Sequence, residues 1–378
     1  MTLPASGQIS ASQISEEFGR NRDGNAMSLG DYRLTQTVGS LTLDGIDTDI
    51  PSSGEIKFSD FYNARLNVVV DFHSGGTEFR QNAKTRYNNG NVTVIGGFRE
   101  KKEAGSKVLI HVNKTLGSQK HHINSNLVAL RTGNWDSDVI LSVDIGSSGA
   151  IYGAGGDGGS GADCENTTSS LAEDLIGLNG TSALGIEHEE TAVNLFPGGK
   201  LFCGFAGGGG GGGARQVDGG EAEDRRACGG GGGGGSGLPA GSGGRGGVQV
   251  INGVQQLNGS SNNNFAFGNA GGDATLEENG EGGAGGDNKN SEAVGGTGGK
   301  GGDVGFALGE IAQPGSAGAI GPGVGGGAYF ELENHPDGPH GRAGFDGAAI
   351  RRTNGGIDVD FNQLGGLFLG ATNATGVE

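Results

Sequence analysis

Two runs of seven consecutive glycines, Gly207–Gly213 and Gly229–Gly235, limit what this chain can fold into. Glycine has no Cβ, and it loses more backbone freedom on ordering than any other residue. Seven in a row make neither a stable α-helix nor a good strand. Two readings remain. In one, each run is a flexible linker. In the other, the bare backbone is itself the packing surface.

The surroundings favour the second reading. Glycine makes up 86 of 378 residues, and 61 of them fall between positions 146 and 327. Proline is only 8, far from collagen. Around the pure runs glycine keeps a period of three, as in Gly155–Gly161, Gly282–Asp287 and Gly295–Asp303. Three residues per turn is the period of a polyproline-II-type helix, which rises about 3.1 Å per residue. A G-G-x run in that helix leaves two faces bare and decorates the third. It suits the edge of an array of packed helices, whereas a pure glycine run suits a position enclosed on every side. Seven residues span about 22 Å, and the G-G-x runs are similar in length. The connecting stretches Ala214–Cys228, Asp273–Asn279, Asp287–Ala293 and Glu331–His340 are charged or polar. Loops held by a rigid scaffold are where recognition usually sits.

The rest of the chain reads differently. Residues 1–65 carry short S-G-x-I-x-Φ-S units at Ser6–Ile14 and Ser53–Tyr62, with a shorter copy at Ala26–Tyr32. Ile9 and Ile56 are expected to point inward, and Ser12 or Ser59 to cap the following turn. Such units need each other or a partner. They read as a docking module, the alternative being a compact subdomain with no binding role. Residues 66–145 read as a β-sandwich-like domain, with strands near Leu66–Phe72, Val92–Phe98, Lys107–Val112, Leu127–Leu130 and Val139–Val143. Residues 345–378 read as separate C-terminal strands. The expected fold is mainly β, with a glycine-rich polyglycine-II helix sandwich over 146–344.

Charge and motifs narrow the function. A net charge of −18 argues against nonspecific nucleic-acid binding and against anionic membrane surfaces. No apolar run reaches the ~20 residues of a membrane span. Three cysteines make a poor disulfide framework, with Cys203–Cys228 the neater pair. His111, His121 and His122 read as solvated residues rather than metal ligands. The cluster Glu187–Glu190 reads as a solvated loop rather than an acid–base pair. Gly298-Gly299-Lys300 is followed by Gly301, not by the Ser or Thr of a phosphate-binding loop. A calcium β-roll would repeat every nine residues, not three. No catalytic constellation is recognised, so no enzyme, metal or cofactor is expected.

At Gly149–Gly161, at the two seven-glycine runs and at Gly295–Gly302 the chain resembles the distal tail-fibre adhesins of T-even-like bacteriophages. The resemblance covers roughly residues 149–327. It implies a polyglycine-II sandwich whose loops bind the host surface. The strand-rich stretches 66–145 and 345–378 depart from the family's minimal pattern. Carried over by position, the candidate receptor-binding residues are Arg215, Gln216, Asp218, Glu221, Arg225, Arg226, Glu277, Glu278, Asn288, Lys289, Tyr329, His335 and His340. Arg215, Arg225 and Arg226 would meet anionic sugar or phosphate. Tyr329, Phe330, His335 and His340 would stack on sugars.

The N-terminal units look like segments at the starts of tailed-phage virion proteins, which implies attachment to other tail or fibre proteins. The implied partners are therefore virion proteins and a host glycan or outer-membrane protein, with no nucleic acid and no membrane insertion. The assembly would be a homotrimer or an attachment to a trimeric fibre. MTLPASGQIS does not read as a signal peptide, so synthesis in the host cytoplasm and a place in the virion are expected. Two other classes stay open: a structural tail or baseplate connector, and a non-phage ice-binding or cell-wall protein.

Overall fold

The computed structural model describes residues 3–18, 28–33, 35–39, 41–44, 47, 50–95, 103–121, 124–165, 172–217, 224–251, 254–256, 265–276, 278–287, 297–302, 312–313, 315–316, 329–330 and 342–377. It is mainly β with few, short helices, and no helix among the described residues is long and apolar enough to cross a membrane.

Short strands recur in a fixed order and pair in parallel with strands far away in sequence. The first sheet stacks Asn67–Phe72, Lys107–Val112, Ile140–Ile145, Thr191–Leu195 and Val359–Gln363. The second stacks Glu78–Phe79, Thr115–Gly117, Ala150–Tyr152, Lys200–Phe202 and Leu367–Leu369. The third stacks Gln81–Asn82, Val128–Arg131, Ser182–Ile186, Ile350–Arg352 and Ala374–Thr375. Each turn of the chain thus visits the three sheets in sequence, which makes a three-sided parallel β-helix. The β-sandwich-like domain expected over 66–145 does not form; its strands belong to the solenoid. The strands expected to stand apart at 345–378 complete the last turn of the same solenoid.

Register explains the core. In the first sheet Val70, Ile110, Val143, Val193 and Phe361 lie side by side, and so do Leu116, Ile151, Leu201 and Phe368 in the second and Leu130, Leu184 and Ile350 in the third. These aliphatic ladders converge on one core, each buried side chain contributing roughly 1.5–3 kcal/mol. On the outer face of the first sheet the register aligns Asp71, His111, Asp144, Asn194 and Asn362. His111 Nδ1 lies 2.9 Å from Asp71 Oδ1, Asn194 donates to Asp144 at 2.8 Å, and Asn362 donates to Asn194 at 3.1 Å. His111 is therefore a buried member of a polar ladder rather than a solvated residue.

The N-terminal units close one end of this solenoid. Phe18 from the helix that follows the first unit, Tyr32 from the short copy and Phe61 from the last meet with ring centroids 5.4–6.4 Å apart and join the main core. Ile9, Leu29 and Ile56 pack against it. The caps differ from those expected: Ser10 Oγ accepts from Gln13 N–H, and Asp60 reaches back to Lys57 N–H at 2.7 Å. Glu17 and Asp47, both fully buried, accept the backbone N–H groups of Leu66 and Arg65 at the first strand. Carboxylates here cover a sheet end that would otherwise offer unpaired donors.

The glycine-rich chain leaves the β-helix between its second and third sheets. Among the described residues it forms ten extended segments: 153–162, 175–181, 203–213, 228–237, 239–248, 266–275, 279–287, 297–302, 312–316 (described at 312–313 and 315–316) and 342–348, numbered 1 to 10 in that order. Their backbones bond to one another at every third residue. Gly229, Gly232 and Gly235 donate from segment 4 to segment 1, as does Leu238 just beyond it, and Gly231, Gly234 and Gly237 donate to segment 6. Gly233 and Ser236 donate to segment 8. Segment 4 accepts in turn from segments 3, 5 and 7, so neighbours enclose it on six sides. Segment 3 is enclosed likewise by segments 1, 2, 4, 8, 9 and 10. The bonding pattern is that of three layers: segments 2, 1 and 5, then 10, 3, 4 and 6, then 9, 8 and 7.

The two seven-glycine runs occupy the two enclosed positions. A Cβ built on any of Gly229–Gly235 would lie 1.8–2.2 Å from a neighbouring carbonyl oxygen. None of these residues has a φ in the left-handed region. Space, not torsion, demands glycine there.

Cys203 is buried and free, whereas Cys228 is disulfide-bonded. The Cys203–Cys228 pairing expected from their position therefore does not form, and the sequence holds one further cysteine, Cys164.

Candidate functional site

Segment directions separate the glycine layers into two ends. Segments 1 and 3 lead away from the strands Ala150–Tyr152 and Lys200–Phe202, while segments 2 and 10 lead back into Ser182–Ile186 and Ile350–Arg352. Bonded neighbours that follow one another in the chain run antiparallel, as Asn269→Ala284 and Gly272→Glu281 show for segments 6 and 7. Odd segments therefore run outward and even segments return. The links from 4 to 5 and from 6 to 7 lie next to the β-helix. The described ends of segments 1, 3, 5, 7 and 9, and the described starts of segments 2, 4, 6, 8 and 10, lie at the far end.

The near end is anchored by apolar contact. Ala150, Tyr152 and Phe202 on the outer face of the second sheet form a cluster against which Leu238, Leu276 and Leu369 pack. Tyr152 and Phe202 meet edge to face at 5.5 Å. Gly117, in register with Phe79 and Tyr152, has no room for a side chain, because Phe79 and Leu238 take that space. Leu276 explains the acidic stretch Asp273–Asn279: it is a proximal turn with a hydrophobic anchor. Glu278 is exposed there, in the turn next to the β-helix, and Glu277 lies outside the described residues. That link is remote from the others proposed for recognition.

The far end carries two small sheets. Ala214–Val217 and Asp224–Ala227 form a hairpin whose register sets Arg215 opposite Arg226 and Gln216 opposite Arg225. Phe265–Ala266 extends it on one side and Tyr329–Phe330 on the other, with Tyr329 opposite Val217. Five of the candidate residues, Arg215, Gln216, Arg225, Arg226 and Tyr329, thus come together in one four-stranded sheet although they span the sequence from 215 to 329. A second sheet joins Cys164–Glu165, Gln249–Ile251 and Val254–Gln256. Asp218, Glu221, Asn288, Lys289, His335 and His340 lie outside the described residues.

Beneath these sheets lies an ion pair that sequence reading misses. Arg245 meets Asp163 in a bidentate pair, with Nη2 to Oδ2 at 2.8 Å, and Val248 N–H donates to the same carboxylate at 2.9 Å. The hydrogen bond to Asp163 holds the Arg245 guanidinium even more firmly charged than usual, against the cost of burial. The pair ties segment 1 to segment 5 where both enter the far end. Its signal in the sequence is weak: each residue takes the decorated third position of a G-G-x-like run.

The described residues hold no group of three or more metal-binding side chains. At the far end the four-stranded sheet carries Arg215, Gln216, Arg225, Arg226 and Tyr329 along its strands. No protein-family model matches the chain, and no curated protein matches it. Among solved structures, the chain is similar to the gp37–gp38 adhesin tip complex of the bacteriophage S16 long tail fibre, at 16% identity and a TM-score of 0.27, over 95% of each chain.

Proposed function

We propose that this protein is a bacteriophage tail-fibre or tail-tip adhesin that grips the host cell surface with the far end of its glycine layers. Each glycine-rich segment is read as a polyglycine-II helix, and the layers as a polyglycine-II sandwich. The period of three in both sequence and hydrogen bonding supports that reading. The observation that carries the functional proposal is the sorting of the links. Among the described residues, Leu238 and Leu276 dock two links on the β-helix, while the strands at the other end build separate sheets. A scaffold fixed at one end and elaborated at the other is built for display.

The phage assignment rests on the resemblance of the glycine motifs and of the N-terminal units. In this proposal the N-terminal end of the chain joins other tail proteins. The receptor is a host envelope glycan or outer-membrane protein. The proposed contact set is Arg215, Gln216, Arg225, Arg226 and Tyr329, together with Asp218, Glu221, Asn288, Lys289, His335 and His340, which the sequence puts between an outward and a returning segment. Glu277 and Glu278 drop out of it.

The test is adsorption to host cells with exchanged links. Replacing the 3-to-4 hairpin by that of a related adhesin should change or abolish adsorption. Replacing Glu277 and Glu278 by alanine, with Leu276 kept, should leave it intact. Adsorption indifferent to exchange of every far-end link would refute the adhesin reading and leave a tail connector.

A further inference from the structure

The corner of the β-helix between its third and first sheets holds a cleft of about 530 Å³. Three stacked corner links build it, one from each of three successive turns: residues 132–139, 187–190 and 353–358. The glycine layers occupy a different corner, so the cleft owes nothing to the far-end site.

Its floor is apolar and fixed. Trp135 is 5% exposed, Ile357 4% and His188 7%. The Trp135 indole donates to Thr132 O at 2.9 Å, packs edge to face on Tyr87 at 5.1 Å, and lies under Lys84 Nζ at 4.6 Å. His188 Nε2 lies 3.0 Å from Val139 O, and Thr191 Oγ1 donates to His188 O at 2.8 Å. Glu187 is not a solvated group either. It pairs with Arg131 and accepts Gly133 N–H at 2.8 Å, bracing one corner link against the next. A frame held by such bonds loses little freedom when a ligand enters.

The rim is polar and partly unengaged. Asn134, Ser137, Glu189, Thr353 and Asn354 line it. Within the described residues the side chains of Asn134, Ser137 and Glu189 make no hydrogen bond or ion pair. They supply an amide, a hydroxyl and a carboxylate, all able to exchange hydrogen bonds with hydroxyl groups. The Glu189 carboxylate is an unpaired charge at the rim; of the cations around the cleft, Arg131 is taken by Glu187 and Lys84 by Glu103, while Arg352 donates Nη1 to Ile357 O at 2.8 Å beneath the lining. An anionic ligand would therefore meet a like charge at the rim, where the exposed lining side chains carry no cation. A wholly apolar ligand would strand the rim groups without partners. The volume lies within the range of small-ligand sites and is ample for one or two sugar rings.

We infer that this corner cleft is a second binding site, for a neutral, hydroxyl-rich saccharide unit. It would give the protein a glycan contact on the β-helix flank, independent of the far end. Because Trp135 is the chain's single tryptophan, its fluorescence reports on this site alone.

The experiment titrates the full chain with glucose, galactose, rhamnose and N-acetylglucosamine up to about 100 mM, and follows both indole emission and saturation-transfer NMR of the sugar protons. At least one sugar should give a saturable response in the millimolar range. In the double variant Asn134→Ala/Ser137→Ala, with unchanged circular dichroism, affinity should fall about tenfold, as expected for two lost hydrogen bonds. No saturable response by either method, a response the double variant retains in full, or tighter binding of glucuronate than of glucose would each overturn the inference. If the double variant does not fold, Glu189→Gln replaces it, and affinity for glucuronate relative to glucose should then rise.

Discussion

Replacing Gly232 by alanine adds one methyl group at the centre of segment 4. The new Cβ would lie 2.0 Å from the carbonyl oxygen of Gly208 and 2.6 Å from its carbon. An ordinary carbon–oxygen approach is about 3.3–3.6 Å. Segments 3 and 4 must therefore part by more than about 1 Å. Three hydrogen bonds join them, from Phe205, Gly208 and Gly211, at 2.9, 2.8 and 2.7 Å. Parting breaks them in a region from which water is excluded. At about 1 kcal/mol net for each bond, and more where a buried group stays unpaired, the cost is about 3 kcal/mol. Steric strain in the surrounding layers adds about 1–3 kcal/mol. The control is Gly355→Ala, where nothing lies within 4 Å of the added methyl. There the substitution should be neutral or stabilise by up to about 1 kcal/mol, because it restricts the unfolded chain. Urea denaturation followed by far-ultraviolet circular dichroism, with limited proteolysis of the glycine layers, separates the two. If Gly232→Ala is as stable as Gly355→Ala, the run is a linker and the enclosed-segment argument is wrong.

Three further outcomes follow from other parts of the structure. Burial lowers the pKa of His111, while Asp144 opposes that shift, so the folded protein favours the neutral imidazole. Its stabilising contribution is present above about pH 6.5 and lost as pH falls through the lowered folded value; His111→Asn should flatten that acid limb in denaturation midpoints measured from pH 7 to 5. Burial pushes the Cys203 thiol well up, with Asp346 adding to the shift, so a thiol reagent should leave the native protein unlabelled at pH 8 and label Cys203 after denaturation without reductant. Arg245→Ala leaves the mostly buried Asp163 carboxylate without its ion pair; as Arg245 itself is over a third exposed, the expected loss is about 1–2 kcal/mol, seen as faster hydrogen exchange at Gly161 and Ala162 and not in the β-helix strands.

The glycine layers are far more legible in the sequence than the β-helix. A residue without a Cβ announces where backbones must touch, and a decorated third position announces an edge. The burial of both seven-glycine runs follows from composition alone. The solenoid gives no such signal. Val70 lies beside Ile110 and Val193 beside Phe361, pairings separated by 40 and 168 residues. Local alternation marks each as a strand and says nothing about its neighbour or the direction of pairing. Strands of two or three residues, such as Glu78–Phe79, carry almost no periodicity, so an antiparallel sandwich and a parallel solenoid read alike. The same limit applies to function. Charge and polarity single out connecting links, but not the end at which they lie. Leu276 decides that for Asp273–Asn279, through contact with residues more than 70 positions away. The Trp135 cleft is harder still, since three turns of the solenoid must stack before Asn134, Glu189 and Asn354 share a rim.

Hydrogen exchange at the amides of Gly207–Gly213 and Gly229–Gly235 tests the central claim most directly. Read by mass spectrometry on overlapping peptides, both runs should resist exchange until the glycine layers unfold cooperatively, and should outlast the far-end hairpin 214–227 under native conditions. Exchange of either run within seconds, at the rate of an unstructured glycine linker, would contradict the enclosed segments and, with them, the rigid mount on which the adhesin proposal depends.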